Sequence, residues 1–209
     1  MSLLHSLQRH WYRRQLRDPA YAFLFDPPPP GEWVSIDCET TGLDRAKDHI
    51  ISIGAVPIRG GRICTSERLE LLIRPDADRA PFKPESVRIH QLREADVAEH
   101  GLDPLEAARQ VLHFIGSRPM VGYYLEFDVA MLNRLVQPLI GIPLPQQKIE
   151  ISGLYHDLRY RQNPDAHIDL RMDVMMTALE LPQRAAHNPV NDATMAALAF
   201  VKLRALGMT

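Results

Sequence analysis

Between Glu32 and Pro75 three β-favouring stretches follow one another with little between them: EWVSID, then HIISIGAVPIRGG, then RICTSERLELLIRP. No other feature of the chain narrows its fold as far. The Gly60-Gly61 pair reads as a turn, and stretches joined this closely read as an antiparallel meander. The pattern then changes. A helix is predicted near PESVRIHQL and another at DPLEAARQVLHFIGS, with Asp103 as cap and Pro104 in the first turn. RPMVGYY reads as a short buried strand, FDVAMLNRLVQPLIG as a helix ending near Gly141, and KIEIS as one more strand. GLYHDLRYRQ, IDLRMDVMMTALEL and NDATMAALAFVKLRAL read as closing helices. Strands grouped first and then alternating with helices predict an α/β layered domain around a mixed sheet.

Ahead of the strands, Leu3, Leu4, Leu7, Trp11 and Leu16 recur at roughly helical spacing, with Arg9, Arg13, Arg14 and Arg17 among them. This predicts a short basic amphipathic helix, over residues 1–17, that docks a protein partner or reaches a nucleic acid. The run DPPPPG favours extended backbone and separates that helix from the strands. The division is therefore residues 1–31, helix and proline-rich linker, and residues 32–209, the main domain. No apolar run approaches the length of a membrane span, and MSLLHSLQRHWYRRQLRD lacks a signal-peptide core, so no membrane is expected and the expected location is cytoplasmic. Two cysteines, Cys38 and Cys64, make neither a disulfide framework nor a metal set. A net charge of −2 argues against coating nucleic acid by bulk electrostatics, but leaves room for gripping one chain end at a local site.

The first strand ends in WVSIDCETTGL, an apolar run that finishes in two carboxylates. Residues two apart in a strand point to one face, about 6.5 to 7 Å apart along the backbone. Asp37 and Glu39 therefore aim at one point while Cys38 faces the core. Adjacent carboxylates repel and raise each other's pKa unless a cation holds them, and oxygen-only ligands suit Mg²⁺ or Mn²⁺. Taken alone the pair says little, because a D-x-E triplet arises by chance about once in a chain of this length at typical composition. Asp128 opens a helix after a strand, where an aspartate is ordinarily a cap. His187 precedes the last helix, Asp192 lies in its first turn, and Asn188 or Asn191 caps it. His167, Asp169 and Asp173 imitate a metal site but read as a solvated face. Met172, Met175 and Met176 read as core packing.

In order and context these pieces resemble the DnaQ-like DEDDh family of 3′-to-5′ exonucleases. D-x-E-T-T-G-L is matched by Asp37, Glu39, Thr40, Thr41, Gly42 and Leu43; V-G-x-x-x-x-F-D by Val121, Gly122, Phe127 and Asp128; H-x-x-x-x-D-A by His187, Asp192 and Ala193. The related subfamily with a Y-x-x-x-D third motif is not matched. IISIGAV and PESVRIHQLREADV look like the proofreading branch typified by the DNA polymerase III epsilon subunit. The resemblance covers roughly residues 32 to 205 and implies an RNase H-like fold with an N-terminal helical extension. It also implies a two-metal-ion mechanism in which paired divalent ions activate water and stabilise the phosphate and the leaving oxygen. Asp37 would then bridge both ions, Glu39 and Asp192 hold the one carrying the water, Asp128, the fourth carboxylate of the metal site, act on the cluster partly through water, and His187 take the water's proton. Thr40, Thr41, Gly42 and Leu43 would seat the terminal nucleotide, with His90 a further contact. One departure stands out. Where the family often reads G-H-N-x-x-F-D, this chain has Tyr123 and Tyr124, which either stack on bases or pack. The expected activity is release of nucleoside monophosphates from 3′ ends of single-stranded DNA or short RNA. The alternative is a non-catalytic subunit of a polymerase or repair complex that keeps the fold.

Overall fold

The computed structural model describes residues 3–74, 92, 94–185 and 187–208, with side chains from Gln8 onward. The helix read near PESVRIHQL, and His90 within it, lie outside the described residues.

The central strand is β1 (Glu32–Thr40), and its alternation sets the architecture. Val34, Ile36 and Cys38 face one core layer, while Trp33 faces the other. β1 pairs antiparallel along its whole length with β2 (Ile50–Arg59), which places Asp37 opposite Gly54. On its other side β1 runs parallel to β5 (Met120–Gly122), and β5 runs parallel to β6 (Lys148–Glu150). Among the described residues the sheet order is β3 (Arg62–Ile63), β2, β1, β5, β6, with β4 (Leu69–Leu72) also on β2. This is the mixed α/β sheet of an RNase H-like fold.

The third β-favouring stretch is not one strand. It divides into β3 (Arg62–Ile63), a 3₁₀ turn at Thr65–Glu67 and β4 (Leu69–Leu72). β3 pairs with Ile58 and Arg59, and β4 with Ser52 to Ala55, so Val56 and Pro57 are skipped. Proline explains the break. In a strand a residue's N–H and C=O point to the same side; Pro57 accepts Cys64 N–H there at 2.9 Å and has no N–H to return.

Helices cover both faces. α3 (Pro104–Ile115), whose N-cap Asp103 accepts from Leu105 N–H at 2.9 Å, and α4 (Leu125–Ile140) pack on the face of Val34 and Ile36. α4 closes at Gly141, whose φ of 72° suits glycine. α5 (Ile151–Gln162), α6 (Met172–Ala178) and α7 (Pro189–Ala205) cover the other face, with Met175, Met176 and Phe200 buried there. A short helix α2 (Glu94–His100) precedes α3. α7 lies directly on β2: a Cβ at Gly54 would stand 2.2 Å from the Pro189 carbonyl carbon.

The segment before the prolines is packed rather than held apart. α1 (Leu3–Gln15) leads into a 3₁₀ helix (Pro19–Phe25) whose Tyr21, Leu24 and Phe25 are buried in the α3/α4 layer. Arg9 donates to the carbonyls of Asp26, Leu24 and Pro145, and Arg17 to that of Pro138 near the end of α4, where a cation also complements the helix dipole. Among the described residues no helix is long and apolar enough to cross a membrane.

Candidate active site

Three elements converge at the C-terminal end of β1. The β1–β2 register shifts between Glu39 and Thr40, a bulge that ends regular pairing where the carboxylates emerge. α7 arrives over Gly54 and begins with a firm cap: Asn188 accepts Asn191 N–H at 3.0 Å, and Pro189 takes the first turn. Asn188, not Asn191, is thus the cap, while the Asn191 side chain donates to Ala185 O at 3.1 Å. This places Asp192 toward β1, and oxygens of Asp37, Glu39 and Asp192 all lie within 4.8 Å of one another.

Asp128, in the first turn of α4, stands outside that trio. It is buried, and its Oδ1 accepts the backbone N–H of Cys38 at 3.0 Å. His187 is exposed, has a φ of 63°, and donates its backbone N–H to Asp192 Oδ2 at 2.9 Å. All five residues border one cleft of about 1040 Å³.

The electrostatics of this cleft are unbalanced. Among the described residues no lysine or arginine forms an ion pair with any of the four carboxylates. Burial, then the charges of Asp128, Asp192 and Glu39, push the Asp37 carboxyl well above the usual range. Burial and then Asp192 push Glu39 up to about 7. Burial raises Asp128 to about 7 against the opposing hydrogen bond from Cys38 N–H. Burial also raises Asp192, with His187 N–H pulling the other way. Such a donor set fits a divalent cation, since it is made of oxygens, has no Lys or Arg counter-ion among the described residues, and has its anionic form opposed by burial and mutual repulsion until a cation offsets them.

The TTGL turn divides into two parts. Thr40 and Leu43 border the cleft, with Leu43 83% exposed at its rim. Thr41 and Gly42 are buried. Thr41 Oγ1 accepts His49 N–H at 3.0 Å and donates to Asp48 Oδ1 at 3.2 Å, and Asp48 Oδ2 accepts Asp44 N–H at 2.7 Å. Asp48, itself buried, is the pin of the turn. The two tyrosines also separate: Tyr123 packs against the α5–α7 layer with its hydroxyl on Leu170 O at 3.1 Å, and Tyr124 stands exposed at the rim.

Sequence reasoning missed Asp48 and Glu150. Glu150, on β6, accepts Leu125 N–H at 2.8 Å and Ser152 N–H at 3.0 Å, so one carboxylate caps both α4 and α5. No local pattern carries that signal, because the first partner is 25 positions away in the chain. It also missed Gly54, readable only as a glycine inside an apolar strand. Of the residues that imitate a metal site in the sequence, Asp169 pairs with Arg171 at 2.8 Å, and among the described residues neither His167 nor Asp173 joins a metal-ligating group.

Comparison with known proteins agrees with this geometry. The chain is 26% identical over 181 residues to a Thermotoga maritima DNA polymerase III PolC-type protein, covering 85% of this chain and 12% of that protein. It is 32% identical over 113 residues to the DNA polymerase III subunit epsilon of Aquifex aeolicus, covering 53% of this chain and 52% of the relative. The chain thus spans an eighth to about half of these relatives. Its fold superposes on E. coli exonuclease I solved with a dA16 oligonucleotide, with a TM-score of 0.69 at 16% identity, over 83% of this chain and 40% of that one. The model of the RNase_T exonuclease family matches residues 34–200, from the middle of β1 to Phe200 on α7, and the chain belongs to that family of DnaQ-like exonucleases.

Proposed function

We propose that the protein is a divalent-cation-dependent 3′-to-5′ exonuclease releasing nucleoside monophosphates from single-stranded DNA or short RNA. The observation that carries this reading is the convergence of Asp37, Glu39 and Asp192 in an open cleft, uncompensated by any Lys or Arg ion pair among the described residues. A subunit with only a binding role has no physical need of that cluster. Mg²⁺ or Mn²⁺, bound as a pair, would supply charge neutralisation at the phosphate and an acidified water.

The chain's own groups do the rest. Asp37, Glu39 and Asp192 would be the ligands, and Asp128, held in place by Cys38 N–H, adds a fourth carboxyl group beside Asp37. His187, on the exposed loop at the cleft edge, takes the proton of the attacking water. Thr40 and Leu43 seat the terminal nucleotide, with Thr41, Gly42 and Asp48 holding their turn. The names of the relatives support a polymerase partner, for which α1, with Trp11 55% exposed beside Arg13 and Arg14, is the docking surface.

The test is digestion of a 3′-labelled strand, DNA or RNA, in Mg²⁺, Mn²⁺ or EDTA, beside Asp37→Ala. Labelled mononucleotide released only by the wild type with metal is expected. Equal inertness of wild type and variant with both metals and both nucleic acids overturns the reading.

A further inference from the structure

The backbone at Tyr124 is in the left-handed region, φ 51° and ψ 33°, where a bulky L-residue is disfavoured. Position 124 is also the N-cap of α4, yet tyrosine makes no side-chain cap bond there, and Glu150 supplies the missing acceptor from β6. An asparagine would tolerate this conformation better. Tyrosine tolerates it poorly, and it leaves its ring 63% exposed to water. Strain at an exposed position, with an apolar group turned outward, points to function rather than stability.

The surroundings say which function. The Tyr124 ring sits 4.4 Å from the Tyr123 ring at 50°, and Tyr123 is anchored by its hydroxyl bond to Leu170 O and by packing under α6 and α7. Tyr124 therefore stands on a fixed shelf. It borders the same cleft as Asp37 and as the exposed Leu43. From the strain, the shelf and the cleft we infer that Tyr124 is a stacking platform for one base of the bound strand, making the presence of that base a determinant of substrate choice. A planar π-face held at a cleft rim accepts any base and gives nothing to an abasic residue. The inference rests on the exonuclease reading above and deepens it.

The experiment uses Tyr124→Asn and Tyr124→Phe in the full chain. KM for a single-stranded oligonucleotide is measured with Mn²⁺, then repeated with one tetrahydrofuran abasic residue at the 3′-terminal, penultimate or third position. Tyr124→Asn is expected to raise KM by about tenfold on the intact strand, the scale of one lost base stack, without lowering the melting temperature. Tyr124→Phe is expected to keep the wild-type KM. At one abasic position the penalty of Tyr124→Asn should vanish. An unchanged KM in Tyr124→Asn, or a penalty equal on every abasic substrate, overturns the platform. Binding of a strand carrying 2-aminopurine, followed by fluorescence quenching in Ca²⁺, separates the two readings. If wild type is catalytically inert yet quenches and Tyr124→Asn does not, the exonuclease reading fails and the platform stands.

Discussion

Gly54→Ala tests how the carboxylate cluster is built. Gly54 lies opposite Asp37 in the β1–β2 ladder, and a Cβ there would stand 2.2 Å from Pro189 C and 2.3 Å from Val190 N. Ordinary contact begins at 3.4 Å, so α7 must withdraw by about 1.2 Å, the difference of those two distances. The obstructing atoms are backbone in the first turn of a capped helix and cannot rotate away. Overpacking of this kind costs about 1–3 kcal/mol, against a gain of roughly 0.4–1 kcal/mol from removing a glycine from the unfolded chain. The functional effect is expected to be larger than the structural one. Asp192 moves with Pro189, and a displacement of about 1 Å at a reacting centre costs on the order of 10²-fold in rate. Urea denaturation should show a loss of about 1–2 kcal/mol, and turnover of a labelled strand should fall by roughly two orders of magnitude. A Gly54→Ala protein as stable and as active as wild type would refute the claim that close seating of α7 on β2 sets the position of Asp192.

Without metal, stability should fall as pH rises from about 4.5 to 7. Glu39 is pushed up from 4.5 to about 7 and Asp37 is raised as well, so the folded state holds protons that the unfolded state has released across that window. Melting temperature against pH in EDTA should therefore decline, and saturating Mn²⁺ should remove the decline; a rise in EDTA would contradict the burial of these groups. His187→Ala should lower turnover by at least about 10²-fold while leaving Mn²⁺ affinity nearly intact by calorimetry, because its hydrogen bond to Asp192 comes from the backbone N–H, which alanine keeps; lost affinity would contradict its role as base. Leu24→Ala should cost about 2–5 kcal/mol in urea denaturation, as for a fully buried core leucine; a loss below about 0.5 kcal/mol, typical of surface sites, would mean that the N-terminal segment is not part of the core.

Where a local pattern carries the physics, the chain is legible before it is folded. Alternation in WVSIDCE places Asp37 and Glu39 on one face and Cys38 on the other, and the structure agrees. Asp103 and Pro104 mark the start of α3, and Gly141 the end of α4, because caps and positive φ are local demands. What escaped depends on partners distant in sequence. The stretch IDLRMDVMMTALEL yields only Met172–Ala178 as helix. Its start is held open by Asp169 accepting Arg171 N–H at 3.0 Å and by Tyr123 bonding Leu170 O, and its end turns at Glu180, with φ 56°. The role of Glu150 and the seating of α7 on Gly54 are likewise invisible until the sheet exists. The proline run forms neither helix nor strand and turns at Pro30 and Gly31, yet the buried Tyr21, Leu24 and Phe25 before it pack into the domain. A proline run does not imply separation.

The central claim is that Asp37, Glu39 and Asp192 form one cation site. Its most direct test is calorimetric Mn²⁺ titration near pH 7, in buffers of different ionisation enthalpy, for wild type, Asp37→Asn, Glu39→Gln and Asp192→Asn. Saturable binding by the wild type with net proton release is expected, because the raised carboxyls must ionise to bind. Each variant should bind at least about tenfold more weakly. Wild-type binding retained in all three variants, or binding with no proton release, would contradict the claim.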